Sequence, residues 1–132
     1  MVKPEEIQSA YEAVKKATAA TFEAGLKFTA AKDALDRDIL QATADGLIEG
    51  KNETERKAAA YTRFDQNYHQ VDQLEKTYKV ETNNLALARI HLDCLRDLLR
   101  MAEVAVAERL AYPLQSVLVK GTKEKIKGQP PK

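Results

Sequence analysis

The sequence predicts an all-α protein: a long antiparallel helical hairpin of coiled-coil type whose second helix is the longer one. Its composition, with 5 Gly, 4 Pro and 31% charged residues, is typical of long helices. Apolar residues recur every seven positions along two stretches, which is the period of a coiled coil. One cluster of turn residues, at 46–51, separates the two stretches.

The first helix is expected over about residues 4–45. Pro4 suits a first helical turn, because its missing N–H has no partner there, and Glu5 and Glu6 face the positive end of the helix. The seven-residue series is Ile7, Val14, Thr21, Phe28, Leu35 and Ala42, accompanied by Ala10, Ala17, Ala24 and Ala31. Such small residues let two backbones approach closely. Gly25 lies beside them, at a cost of about 1 kcal/mol relative to alanine, and indicates either close contact or a kink.

The turn at 46–51 should be closed by a helix cap. Asn52 is followed three residues later by Glu55, the spacing of a capping box. Leu47 and Ile48 precede this cap, and one of them is expected to pack onto the second helix. The other should be exposed, which makes the hairpin tip a candidate docking point for a partner protein.

The second helix is expected over about residues 52–112. Its seven-residue series is Phe64, Val71, Tyr78, Leu85, Leu92, Leu99 and Val106. Tyr61, Tyr68 and Tyr78 are read as core residues rather than as a base-stacking surface. Pro113 should end the helix, since proline lacks the N–H that a helix interior needs, and residues 113–132 should form a basic tail.

A hairpin folded about residue 48 would place Phe28 opposite Tyr68 and bring Ile7 to Arg89. The second helix would then continue for about twenty residues, roughly 30 Å at 1.5 Å per residue, without a partner in the chain. This segment is apolar on two sides, with Leu87, Ile90, Cys94, Leu98, Met101 and Val104 forming the second side. A helix apolar around most of its circumference needs several neighbours.

We therefore expect a homo-oligomer formed through residues 85–110. The expected interface residues are Leu85, Leu92, Leu95, Leu98, Leu99, Met101, Val104, Val106 and Leu110. The alternative is a monomer whose tail folds back over this surface through Leu114, Val117, Leu118 and Val119.

Candidate chemistry is sparse. Asp65, His69 and Asp72 share one helical face at metal-ligand spacing, but no second motif completes a site, so a solvated polar face is expected and no metal or cofactor. His91 has no ligand partner at suitable spacing. Cys94 is expected to be a buried small hydrophobic residue. No Gly-rich phosphate loop or nucleophile–base pair is present, and the protein is predicted not to be an enzyme.

The charge and the cysteine content of the chain limit which partners and which cellular compartment are expected. The net charge of +1 argues against nucleic-acid binding through bulk charge, yet the tail carries Lys120, Lys123, Lys125, Lys127 and Lys132. Nucleic-acid contact through this tail is thus an alternative, whereas no membrane span is expected. A single cysteine and the absence of a signal-like N-terminus favour a reducing cytoplasm.

The segment from Gly46 to Arg56, followed by a helix containing Leu85-Ala-Leu-Ala-Arg89 and Leu95-Arg-Asp-Leu-Leu-Arg100, resembles small helical proteins of bacteriophages and prophages. The resemblance covers about residues 35–103. It implies a bacterial or phage-infected cytoplasm and assigns no catalytic or binding residue. Three functions are considered: a structural or adaptor protein acting through self-association and protein contacts, a nucleic-acid accessory protein, and a small phage effector that inhibits a host protein.

Overall fold

The computed structural model describes the backbone of residues 1–127 and the side chains of residues 1–111. It contains three helices, α1 (Pro4–Ala44), α2 (Glu53–Arg63) and α3 (Asp65–Lys127), and no strand within residues 1–127. The predicted all-α class is therefore confirmed. Helix α1 packs along α3, and the two run in opposite directions.

Helix α1 begins and ends through local backbone chemistry. Pro4 occupies the first turn, as expected. At the other end Gly46 adopts φ +72°, a left-handed conformation that costs glycine little because it has no Cβ. The Gly46 N–H donates to the Thr43 carbonyl at 3.1 Å, and the Leu47 N–H donates to the Ala42 carbonyl at 2.9 Å. These two bonds satisfy the last carbonyls of α1 and turn the chain back.

The predicted cap at Asn52 is confirmed. Its side-chain oxygen accepts a hydrogen bond of 2.8 Å from the Glu55 N–H. The Glu55 carboxylate accepts in return from the Lys51 N–H, also at 2.8 Å, rather than from the Asn52 N–H of the usual capping box. The start of α2 is thus fixed by Asn52 and Glu55, the two residues whose spacing predicts the cap.

The expected single helix over 52–112 is wrong in two respects, and the first is a distortion at Phe64. This residue has φ −109° and ψ 30°, and it separates α2 from α3. Its N–H still donates to the Ala60 carbonyl and its carbonyl accepts from the Tyr68 N–H, both at 2.9 Å. The two helices therefore follow one another closely, with Phe64 packed against the cluster at the hairpin tip.

The second difference is at Pro113, where the helix was expected to end. Helix α3 continues to Lys127, so residues 113–127 are helical rather than a separate tail. A proline within a helix removes one backbone hydrogen bond and costs about 3 kcal/mol.

The register of the hairpin differs from the expected one by about one heptad. Phe28 stacks on Tyr78, with ring centroids 6.2 Å apart, rather than facing Tyr68. The Thr21 hydroxyl donates to the Glu81 carbonyl at 2.9 Å. A shift of seven residues returns the same helix faces to each other, so the apolar period is compatible with both registers.

The core is narrow and rich in alanine. The buried apolar residues are Ala10, Ala24, Leu35, Ala42, Ile48, Ala60, Leu85 and Leu92. At the hairpin tip Ala42, Ile48 and Ala60 form one cluster, against which Ile39, Ala59 and Phe64 pack. The predicted close approach of the helices through small residues is consistent with these alanines lying at the seam.

Candidate interaction surfaces on helix α3

One face of α3, the inner face, lies against α1. Leu85 and Leu92 are buried there, at 8% and 7% exposure, and Leu95 and Leu99 are half-buried. Leu85 and Leu92 were expected in the oligomer interface, but they belong to the core of the single chain. The cause is the heptad shift, which moves α1 further along α3 than the sequence indicated.

The inner face continues beyond the end of α1. Met1 lies beside Leu99, Ala102 and Val106, around a shallow groove of about 300 Å³. Val106 and Leu110 are exposed at 49% and 71%. Because α1 begins at Pro4, roughly opposite Leu99, about 28 residues of α3 extend past it, or about 40 Å at 1.5 Å per residue. The predicted unpartnered segment therefore exists, but it starts about seven residues later than the expected register indicates.

A second apolar face, the outer stripe, runs along α3 away from α1. It consists of Leu87, Ile90, Cys94, Leu98, Met101 and Val104, all of which are exposed. The steps of three and four residues keep them on one side of the helix. Cys94 was expected to be buried; in the single chain it is exposed, because nothing in residues 1–111 covers this stripe.

The tail residues that were considered as a cover for this apolar surface lie outside the described side chains. The alternative monomer, in which the tail folds back through Leu114, Val117, Leu118 and Val119, involves side chains outside the described residues 1–111 and stays a prediction. The outer stripe is left without a partner among the helices that the structure describes.

The hairpin tip exposes one apolar side chain. Ile48 is buried at 6% against Ala42 and Ala60, whereas Leu47 is 51% exposed. This is the expected division, with one residue packed before the cap and the other available at the surface. Docking of a partner at Leu47 stays a prediction.

A groove between α1 and α3 was not found by sequence reasoning. It has a volume of about 530 Å³ and is lined by Thr18, Thr21, Phe22, Gly25, Leu26, Phe28, Thr29, Tyr78 and Leu85. The Tyr78 ring packs directly against Gly25, in the space that a side chain would fill. A Cβ atom added to Gly25 would lie 2.8 Å from Tyr78 Cε2. The only sequence feature that pointed to this groove was Gly25, an isolated glycine in the middle of a helix. Its close contact is with the Tyr78 ring rather than with the backbone of another helix.

The polar candidates do not assemble into a site. Within the part of the chain that the structure describes, no group of three His, Cys, Asp or Glu side chains could hold a metal ion, and Asp65, His69 and Asp72 are exposed. His91 is exposed beside Glu5 and Glu6 in an open groove. Among the side chains of residues 1–111 the ion pairs are Glu23–Lys27, Glu53–Lys57 and Glu75–Lys79, each four residues apart at the helix surface.

The tail lysines Lys120, Lys123, Lys125, Lys127 and Lys132 lie outside the described side chains. No helix among the described residues is long and apolar enough to cross a membrane. Comparison of the chain with protein-family models, with curated proteins and with solved structures found no match. The resemblance to phage proteins thus stays a prediction.

Proposed function

We propose that this protein is a non-enzymatic structural or adaptor protein that self-associates through α3 as a coiled coil and binds other proteins through its helix surfaces. The observation that carries the proposal is the outer stripe, a row of apolar side chains that are exposed in the single chain and lie on a helix extending past α1. Contiguous exposed apolar surface of this kind marks interaction sites in proteins.

The size of the stripe is sufficient for association. Its five largest side chains, Leu87, Ile90, Leu98, Met101 and Val104, are 46% to 66% exposed. Full burial of such a side chain contributes about 1.5–3 kcal/mol, so burying the exposed half of ten of them, five from each of two chains, contributes about 8–15 kcal/mol. Association costs about 4–15 kcal/mol, and the stripe can therefore offset it.

Light scattering coupled to gel filtration tests the proposal. The native chain should elute as an oligomer at micromolar concentration, and Leu98→Asp should shift it to the 14.7 kDa monomer. Leu40→Asp is the control: Leu40 is a leucine on α1 that is more exposed than Leu98, at 70% against 46%, and this variant should stay oligomeric. A native monomer, or equal behaviour of the two variants, would contradict the proposal.

The protein-binding part of the proposal concerns the hairpin tip. Leu47 projects from a turn whose backbone is fixed by the Gly46 and Asn52 hydrogen bonds, so it presents an apolar group on a rigid support. Affinity purification from the native host, comparing the native chain with Leu47→Asp, should recover a partner that the variant loses. The variant should keep its oligomeric state, because Leu47 lies far from the outer stripe along the hairpin.

A further inference from the structure

We infer that the outer stripe binds a second copy of this chain in an antiparallel arrangement, with a two-fold axis passing close to Cys94. This inference rests on the proposed self-association and specifies its geometry. A symmetric dimer uses the same patch on both chains, so its contact surface must be complementary to itself.

The spacing of the stripe meets this requirement. Ile90 and Leu98 lie four residues to either side of Cys94, and Leu87 and Met101 lie seven residues to either side. Offsets of four and seven keep residues on one helix face. In an antiparallel pair centred on Cys94, Leu87 of one chain is therefore level with Met101 of the other, and Ile90 is level with Leu98.

The fold leaves room for the second copy. Leu85 and Leu92, on the inner face, are buried against α1, whereas Leu87, Ile90 and Leu98 are exposed on the other side of α3. The partner's α3 can therefore approach without displacing α1.

The geometry predicts which positions can be cross-linked. Helix axes pack about 8–10 Å apart and Cα atoms lie about 2.3 Å from each axis. Facing Cα atoms in the pair are then about 3.4–5.4 Å apart, which overlaps the range of about 4.4–6.8 Å that disulfides span. In the antiparallel pair the two Leu87 positions are fourteen residues out of level, or about 21 Å apart, and cannot be bridged.

The experiment uses two full-length variants, Leu87→Cys/Cys94→Ser and Met101→Cys/Cys94→Ser, one carrying a tag that changes its mass. Each is treated with the thiol oxidant diamide alone and after mixing, and circular dichroism checks that both stay helical. We expect cross-linked heterodimer in the mixture and little cross-linking of either variant alone. The native chain should cross-link through Cys94.

Other outcomes are distinguishable. Cross-linking of Leu87→Cys/Cys94→Ser with itself would show parallel chains and overturn the inference. A dimer by light scattering that forms no cross-link in the mixture would overturn it as well, while leaving the proposed self-association intact. A monomer by light scattering would overturn the proposed function itself.

Discussion

The contact between Gly25 and Tyr78 allows the stability of a Gly25→Ala variant to be predicted from two opposing effects, helix propensity and steric overlap. Replacing Gly25 by alanine in mid-helix should stabilise the fold by about 1 kcal/mol through helix propensity. The new Cβ would lie 2.8 Å from Tyr78 Cε2, however, so the ring must move. Overpacking of this kind costs about 1–3 kcal/mol. We expect Gly25→Ala to lower the free energy of unfolding by about 0–2 kcal/mol, the balance of these two terms.

Removing the Tyr78 ring should turn Gly25→Ala from a destabilising into a stabilising substitution. In a Tyr78→Ala background the clash is absent, and Gly25→Ala should raise the free energy of unfolding by about 1 kcal/mol. Tyr78→Ala alone should lower the free energy of unfolding, because the variant loses the stacking on Phe28, whose ring centroid lies 6.2 Å away. Such aromatic pairs contribute about 0.5–1.5 kcal/mol beyond the burial of their apolar area. The coupling between the two sites should be about 1–3 kcal/mol.

Urea unfolding followed by far-ultraviolet circular dichroism measures all four proteins of this double-mutant cycle. The protein concentration must be the same throughout, because the stability of a self-associating chain depends on it. If Gly25→Ala stabilised the native chain and the Tyr78→Ala chain equally, the ring would not be seated on the glycine. The register assigned from the Phe28–Tyr78 pair would then be wrong.

The remaining predictions concern the cap, the tip and the tail. Asn52→Ala should cost about 1 kcal/mol in urea unfolding, because the Glu55 N–H loses its 2.8 Å partner; an unchanged midpoint would contradict the cap. Ile48→Ala should cost about 2–3 kcal/mol, whereas Leu47→Ala, at an exposed position, should cost a few tenths. If the tail binds DNA or RNA, the logarithm of the binding constant should fall with the logarithm of the salt concentration with a slope of about −4. Deletion of residues 120–132 should abolish this binding without changing the oligomeric state. Binding that does not depend on salt would refute nucleic-acid contact through the tail.

The sequence indicates the helices and their ends where local chemistry decides them. Pro4 marks the start of α1, Gly46 marks its end, and the Asn52–Glu55 pair marks the start of α2, because each acts through neighbouring backbone groups. Pro113 misled the same reasoning, since a local penalty of about 3 kcal/mol does not by itself end a long helix.

The register and the exposed surfaces depend on contacts that the apolar period does not specify. A shift of about two or three helical turns keeps apolar residues facing each other, so periodicity alone placed Phe28 opposite Tyr68, whereas it stacks on Tyr78, ten residues further along. This shift also moved Leu85 and Leu92 from the expected interface into the core. Gly25 was the residue that carried register information, because a ring fits only where a side chain is missing.

The alanine-rich seam has a thermodynamic consequence. Four of the eight buried apolar residues are alanines, which bring the helices close but withdraw little apolar area from water. The heat capacity increment of unfolding grows with the apolar area exposed, and this increment sets the curvature of stability against temperature. The single chain should therefore have a small increment and a broad, shallow stability curve. Burial of the outer stripe would enlarge the increment, so calorimetry at rising protein concentration should show a sharper and hotter transition.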